Sequence, residues 1–208
     1  MLQVGLDALV SKIRALPGRA RHIVALAGPP AAGKSHMSEA LEAALNAAGG
    51  RAAILPMDGY HYDDALLRAR GRLAFKGAPD TFDVGGFRQM LARLAANTEA
   101  EIAVPVFDRA LEISRGSARM ISQDVQTLIV EGNYLLFESA PWEGLWTQFD
   151  MTVWVTADDA TLRARLSARW QDAGLAPAEV QRKVDNNDWP NCQAILSGSR
   201  AAQFTLLP

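Results

Sequence analysis

The segment Gly28-Pro29-Pro30-Ala31-Ala32-Gly33-Lys34-Ser35 constrains the fold more than any other part of this chain. It matches the phosphate-binding loop pattern G-x-x-x-x-G-K-[ST] at every fixed position. The apolar residues 21–27 end at the first glycine, as a buried strand would, and residues 35–48 follow with helical spacing. Strand, loop and helix in this order predict that the loop amides and the helix N-terminus bind the phosphates of a nucleoside triphosphate.

Individual positions of this loop have expected roles. Lys34 is expected to reach the outer phosphates, and the Ser35 hydroxyl is expected to bind Mg²⁺. Because a lysine over a phosphate site should bury little surface, we expect Lys34→Ala to leave the fold intact. The imidazole of His36 is expected to be structural. The residues predicted to bind the nucleotide are Gly28, Pro29, Pro30, Ala31, Ala32, Gly33, Lys34, Ser35 and His36.

The composition argues against several kinds of protein. A net charge of -2 disfavours non-specific nucleic-acid binding, which needs a basic surface. The single cysteine, Cys192, allows no internal disulfide, and the expected location is the cytoplasm. No apolar run approaches a membrane span, and Asp7 and Lys12 interrupt any signal-peptide core. The expected partner is a small molecule, with no nucleic acid and no membrane, and a homodimer is compatible with the sequence.

Hydrophobic periodicity predicts an α/β fold of the phosphate-loop NTPase type, in three layers. Its centre is a mainly parallel five-stranded sheet with helices on both faces. One domain is expected to span residues 1–208, with an N-terminal helix within 1–20, a small β insert at 102–121 and a helical lid at 158–187. Residues 186–191 are expected to form a polar turn. The expected strands are residues 21–27, 51–57, 127–130, 151–155 and 203–207.

Two acids end predicted strands. Asp58 follows the second strand and Glu131 the third, and in parallel sheets ligands bind at the carboxyl ends of the strands. Glu131 is therefore predicted to hold Mg²⁺ together with Ser35. Asp58 is predicted to accept the proton of a hydroxyl that attacks the γ-phosphate. Both acids precede glycine, so a turn without chemistry is the alternative at each position.

Arginines and aromatic side chains complete the predicted site. Arg165 and Arg169 share one face of the predicted lid helix and are expected to stabilise the charge that develops during transfer. A solvated helix surface is the alternative for both. The predicted catalytic residues are Asp58, Lys34, Arg165 and Arg169. The predicted acceptor-binding residues are Asp58, His61, Phe82, Asp108, Arg109 and Arg115.

Five segments occur in the order seen in the superfamily of uridine kinase, pantothenate kinase and phosphoribulokinase, which this chain resembles over most of its length. The segments are residues 28–35, Met57–His61, Pro79–Asp83, Val104–Asp108 and Ile129–Asn133. The subgroup resembles bacterial proteins named fructose transport system kinase or nucleoside/nucleotide kinase family protein, to which Asn187–Asn191 is also similar.

This resemblance implies phosphoryl transfer from ATP-Mg²⁺ to a hydroxyl of a small molecule. It implies that Asp58 is the catalytic acid, that Glu131 belongs to the metal site, and that Arg115 lies on the substrate side. The lid role of Arg165 and Arg169 is implied as well. The segments Asp58–His61 and Asp108–Arg109 depart from the uridine kinase pattern, which weakens the expectation of a nucleoside acceptor.

The acceptor class is predicted from the polar character of the pocket. Carboxylates and guanidiniums hydrogen-bond hydroxyl groups, which favours a sugar such as fructose, in a fructokinase-type reaction, or a related polyol. A nucleoside such as uridine, or a pantothenate-like acid, is the alternative. A protein of another class, in which the bound nucleotide regulates a partner, also fits the loop, but such a protein needs no acceptor pocket.

Overall fold

A parallel sheet of six strands lies at the centre of the computed structural model, which describes residues 1–206. The strands of this part of the chain are β1 (Leu2–Val4), β2 (His22–Ala27), β3 (Ala52–Pro56), β4 (Glu101–Asp108), β5 (Ile113–Ser122), β6 (Thr127–Gly132), β7 (Met151–Val155) and β8 (Phe204–Leu206). The sheet order is β1-β8-β7-β2-β6-β3, while β4 and β5 form a separate antiparallel hairpin. This architecture confirms the predicted α/β fold class.

The sixth strand corrects the predicted N-terminal helix, because residues 2–4 are extended. β1 pairs in parallel with β8, with Val4 opposite Leu206, and the helix begins only at Leu6. The free edge of β8 offers backbone hydrogen bonds, which the apolar spacing of the sequence does not reveal. The sheet therefore has six strands instead of the predicted five. The predicted last strand extended to Leu207, which lies outside the described residues.

Helices cover both faces of the sheet. They are α1 (Leu6–Arg14), α2 (Lys34–Ala47), α3 (Asp64–Ala69), α4 (Val84–Ala96), α5 (Asp159–Asp172), α6 (Pro177–Lys183) and α7 (Trp189–Gly198). In β2, Ile23 and Ala25 pack on the side of α4, whereas Val24 and Leu26 pack on the side of α1, α2 and α5. Both faces are apolar, as a buried parallel sheet requires. No helix within residues 1–206 is both long and apolar enough to cross a bilayer.

The predicted polar turn at residues 186–191 is wrong, because these residues are helical. A π-helix, Val184–Asp188, joins α6 directly to α7. Pro190 stands in the first turn of α7, directly after the π-helix. The polar residues of this segment therefore lie on a continuous helical path.

The carboxyl ends of three neighbouring strands bring the predicted chemical groups to one place at the end of the sheet. In the strand register, Glu131 of β6 lies between Leu26 of β2 and Pro56 of β3. β2 continues into the phosphate loop, and β3 continues into a short 3-10 turn, Met57–Tyr60, which contains Asp58. Loop, turn and strand end therefore meet at a single place.

Candidate active site

The phosphate loop follows a backbone path that depends on its two glycines. Gly28 leaves β2 so close to β7 that a Cβ atom here would overlap the carbonyl oxygen of Val155. Gly33 has a φ of 94°, in the left-handed region that glycine adopts without strain, and it ends the loop where α2 begins. The first amides of α2 are therefore placed at the loop, as in helix N-terminal phosphate sites.

Lys34 is the first residue of α2 and is only 8% exposed. Its Nζ donates hydrogen bonds to Pro29 O at 2.8 Å and to Asn133 Oδ1 at 2.7 Å. Burial lowers the pKa of Lys34, although the carboxylates of Glu131 and Asp58 oppose this shift. The expectation that this lysine buries little surface is wrong, because the loop and the end of β6 enclose the amine.

Ser35 and Glu131 contact each other beside the phosphate loop. Ser35 Oγ lies 3.2 Å from Glu131 Oε2 and 3.3 Å from Oε1. Burial raises the pKa of Glu131, and the nearby carboxylate of Asp58 raises it further. A hydroxyl and a carboxylate are oxygen donors that Mg²⁺ prefers, and a divalent cation here would offset the repulsion between Glu131 and the nearby Asp58. The donor set therefore fits Mg²⁺.

Asp58 makes an ion pair with Arg109, in which Arg109 Nη2 donates to Asp58 Oδ2 at 2.6 Å. Burial by itself would raise the pKa of Asp58, but the neighbouring side chains of His61, Arg109 and Lys34 outweigh it, and the pKa is lowered. The carboxyl group is therefore ionised at neutral pH. Ionisation is what a proton acceptor needs.

The imidazole of His61 packs against two aromatic rings, with centroid distances of 4.0 Å to Phe82 and 4.7 Å to Phe107. Its Nδ1 lies 2.8 Å from Asp58 O. Burial lowers the pKa of His61, although the charge of Asp58 opposes the shift. A neutral imidazole that donates through Nδ1 leaves Nε2 as a hydrogen-bond acceptor.

Two cavities meet at these residues. The loop cavity, of about 500 Å³, lies over the phosphate loop and is also lined by Ser35, His36 and Glu131. The side cavity, of about 330 Å³, adjoins it. The residues that line both cavities are Pro30, Asp58, Arg109, Asn133 and Arg169. The ion pair of Asp58 and Arg109 therefore lies on the boundary between the two spaces.

Two arginines of α5 face these cavities. Arg165 Nη1 donates to Ala31 O of the phosphate loop at 3.3 Å, and Arg169 lines both cavities. Arg163 instead lies 4.0 Å from the centroid of the Trp189 ring, away from the loop. Arg163 points elsewhere because of helical spacing: Arg165 and Arg169 are one turn apart and share a face that Arg163 does not share.

Asp108 and Arg115 hold the tip of the β4–β5 hairpin. Asp108 Oδ1 accepts hydrogen bonds from the N–H groups of Ala110 and Leu111, both at 3.1 Å. Arg115 Nη1 donates to Asp108 Oδ2 at 3.2 Å. Neither residue lines the side cavity. They fix the turn that carries Arg109 instead, and an acceptor contact for Asp108 or Arg115 stays a prediction.

The remaining predicted acceptor residues divide into lining and supporting side chains. Asp58, His61 and Arg109 line the side cavity, whereas Phe82 is only 2% exposed and supports the His61 ring. A contact between Phe82 and an acceptor also stays a prediction.

Several walls of the side cavity were not predicted from the sequence. Asn133 follows Glu131 by two positions, and its place at a strand end is a signal that could have identified it. Lys76 belongs to residues 75–83, a loop expected from the sequence to help build the acceptor pocket, whereas Trp170 carries no local signal, because tertiary contacts alone bring it to the cavity. The lining residues that were assigned to no site include Asp64, Glu112, Asn133, Trp170, Lys183, Asn187, Asp188 and Asn191.

Comparisons with known proteins place this fold and site in a family. No protein-family model matches the chain. The chain is 30% identical over 187 residues to the "Putative uridine kinase C227.14" of Schizosaccharomyces pombe. This alignment covers 86% of this chain and 80% of that protein. The chain is 34% identical over 194 residues to a pantothenate kinase of Sorangium cellulosum. This alignment covers 91% of this chain and 61% of that enzyme.

A solved structure agrees with these sequence relatives. The crystal structure of a "putative fructose transport system kinase" from Silicibacter sp. TM1040 superposes with a TM-score of 0.91 at 37% identity, over 96% of this chain and 98% of that one. The shared fold and the kinase names of these relatives agree with the cavity geometry. The chain therefore belongs to the P-loop kinases related to uridine kinase and pantothenate kinase, and it is a small-molecule kinase.

Proposed function

We propose that this kinase transfers the γ-phosphoryl group of ATP, with Mg²⁺, to a hydroxyl of a neutral sugar or polyol, with fructose as the best candidate. The position of Asp58 carries the proposal. Its carboxylate is ionised and lines both cavities, so a hydroxyl in the side cavity meets a proton acceptor beside the phosphate site. Binding ATP in one cavity and the acceptor in the other puts the two reactants on either side of this group.

The nucleotide side of the reaction uses groups of the loop cavity. Lys34 and the loop amides hold the phosphates, and Ser35 and Glu131 hold Mg²⁺, which when bound neutralises phosphate charge. Arg169 lines both cavities and is placed to stabilise the charge on the group in transit. These contacts orient the γ-phosphate toward the side cavity.

The acceptor side of the reaction depends on Asp58. As the acceptor oxygen bonds to the γ-phosphorus, its proton passes to the Asp58 carboxylate, and the bond to the β-phosphate oxygen breaks to leave ADP. Arg109 holds the same carboxylate at 2.6 Å. Its ion pair keeps Asp58 ionised until the hydroxyl arrives.

The charges of the side cavity favour a neutral acceptor. Lys76 is paired with Asp64 at 2.5 Å, and Arg109 is paired with Asp58. The cations that line the cavity are Lys76, Arg109, Arg169 and Lys183, and the acids are Asp58, Asp64, Glu112 and Asp188. Since the cations and the acids are equal in number, an acceptor carboxylate or phosphate would add a negative charge to a cavity that carries no excess of positive charge. A neutral polyol can instead use the many donors and acceptors already present.

A nucleoside acceptor is the second candidate, because Trp170 lines the side cavity and an aromatic face can stack a base. Two cations already lie over that ring, with Lys183 Nζ at 4.3 Å and the Arg169 guanidinium at 5.3 Å from its centroid. The ring of Phe107 is similarly in contact with His61. These contacts leave little free aromatic surface, which favours the sugar over the nucleoside.

The test measures ADP release with fructose, uridine, cytidine and pantothenate at matched concentration, each with ATP and Mg²⁺. Fructose is expected to give the highest turnover. Asp108→Ala is expected to raise the KM for fructose, because it frees the hairpin tip that positions Arg109. Asp124→Ala is the matched control, since Asp124 pairs with Arg51 outside the residues that line the two cavities.

Preferred turnover of uridine or cytidine, unchanged by Asp108→Ala, would contradict the sugar proposal and leave the kinase assignment standing. Preferred turnover of pantothenate would contradict the argument from charge balance.

A further inference from the structure

The π-helix brings two polar side chains to the side cavity that the proposed reaction does not use. Asn187 and Asp188 are consecutive, yet both line the cavity, as does Asn191 one turn later. A π-helix places one extra residue in a turn, and such turns are frequent at functional sites.

The Asn187 amide connects the π-helix to a loop on the opposite wall. Its Nδ2 donates to Lys76 O at 3.1 Å and lies 3.3 Å from Asp188 Oδ1. Its Oδ1 accepts from Asn191 Nδ2 at 3.1 Å. With oxygen and nitrogen both engaged, the amide has one orientation, and its donor is directed at the Lys76 carbonyl.

The segment on the opposite wall is residues 73–77, which we call the acceptor loop. Lys76 Nζ donates to Asp64 Oδ1 at 2.5 Å and also to Glu112 O, so its side chain ties the loop to α3 and to the hairpin. Tyr134 Oη donates to Gly77 O at 2.7 Å. The hydrogen bond from Asn187 to Lys76 O also connects the acceptor loop to the π-helix on the other side of the cavity.

The same helical region also reaches the phosphate loop. Trp170 Nε1 donates to Asp188 Oδ2 at 2.5 Å, which joins α5 to the π-helix. Arg169, next to Trp170, lines both cavities, and Arg165 contacts Ala31 O. A continuous set of contacts therefore runs from the acceptor loop through the π-helix to the arginines over the phosphate loop.

From these contacts we infer that Asn187 is a positioning residue, which holds the acceptor loop in the geometry that binds the acceptor. The inference rests on the proposed function in taking the side cavity as the acceptor site. Asn187 acts through the Lys76 carbonyl and does not touch the reacting atoms. Its loss should raise the KM for the acceptor far more than the KM for ATP.

Asn187→Asp tests the inference with almost no change in shape. The carboxylate keeps an acceptor for Asn191 but replaces the donor that Lys76 O requires, and two oxygens then face each other. Asn186→Asp is the matched control, because it makes the same chemical change one residue earlier, on an exposed position of the same π-helix. Both full-length variants are compared with the parent protein.

Two readouts are used. The first readout compares the KM for D-fructose with the KM for ATP. Asn187→Asp is expected to raise the KM for fructose about tenfold and to change the KM for ATP less. The second is amide hydrogen exchange of the acceptor loop, which is informative because Lys76 N donates to Leu73 O at 3.2 Å and Phe75 N to Arg72 O at 2.9 Å. Asn187→Asp is expected to speed this exchange, and Asn186→Asp is not.

The two readouts separate this inference from the proposed function. If the parent protein does not turn over fructose but Asn187→Asp speeds hydrogen exchange in the acceptor loop, fructose is not the acceptor. The positioning role of Asn187 is supported in that case. Acceptor-loop exchange that is the same in Asn187→Asp and the parent overturns the inference. Equal acceleration in both variants overturns it too, because the effect would then be a general weakening of the π-helix.

Discussion

The guanidinium of Arg109 donates from Nη2 to Oδ2 of Asp58 at 2.6 Å, across the boundary between the two cavities. Arg109 extends from the hairpin, whereas Asp58 belongs to the turn that follows β3. The ion pair therefore lets a separate part of the chain set the protonation of the proposed base. The first consequence of this ion pair concerns how kcat/KM depends on pH.

Arg109→Ala should move the acid limb of the pH profile of kcat/KM toward higher pH. Asp58 must be ionised to accept a proton, so activity falls as the pH falls through its pKa. Arg109 is one of the charges that lower this pKa, and removing it lets the pKa rise. Arg51→Ala, which breaks the ion pair with Asp124, should leave the acid limb where it is. An unmoved acid limb in Arg109→Ala would show that Asp58 is not the group that titrates.

Asp58→Asn should lower kcat by roughly 10²–10⁴-fold, the usual contribution of a positioned proton acceptor. Affinity for ATP-Mg²⁺ should stay near that of the parent protein, because the amide keeps the size of the side chain. Steady-state kinetics and nucleotide titration measure the two effects separately. Weakened Mg²⁺ binding with an unchanged kcat would mean that the roles of Asp58 and Glu131 are exchanged.

Glu131→Gln should raise the Mg²⁺ concentration needed for half-maximal velocity. The substitution leaves Ser35 in place but removes a charge from the proposed Mg²⁺ donor set. The measurement is a Mg²⁺ titration of the initial rate at saturating ATP. A normal Mg²⁺ requirement together with a large fall in kcat would contradict the metal role.

Lys34→Ala and Lys34→Met should both lower phosphoryl transfer by orders of magnitude, because the charge on the outer phosphates is lost. They should differ in stability. Both variants remove the buried charge and leave Pro29 O and Asn133 Oδ1 without their donor, but alanine also leaves a cavity, whereas methionine fills most of the space. Thermal unfolding should therefore give a lower Tm for Lys34→Ala than for Lys34→Met. Normal turnover in either folded variant would remove Lys34 from the mechanism.

The parts of the site that the sequence predicts well are those carried by local patterns. The phosphate loop is a contiguous motif, and Asp58 and Glu131 each follow an apolar run that forms a strand. Because parallel strands present their carboxyl ends at one edge of the sheet, their parallel direction brings these groups to the same edge. The structure adds that β6 lies beside β3. Periodicity likewise identified the shared face of Arg165 and Arg169.

The parts that the sequence does not predict depend on contacts between distant segments. Lys76 and Asn187 are far apart in the chain, and neither has a neighbour that signals their hydrogen bond. The burial of Lys34 depends on Asn133, at the end of another strand. The polar residues 186–191 suggested a turn, because a local pattern does not show that the helices on either side join through a π-helix.

The pairing of β1 with β8 has a consequence for the order of folding. Leu2 lies opposite Phe204, so the two paired strands are far apart in the sequence. Contacts of such long sequence separation form late, since closing a large loop costs entropy before the contact can repay it. Within the described sheet β1 pairs with β8 alone, so the first strand is expected to join the sheet only after β8 has docked against β7.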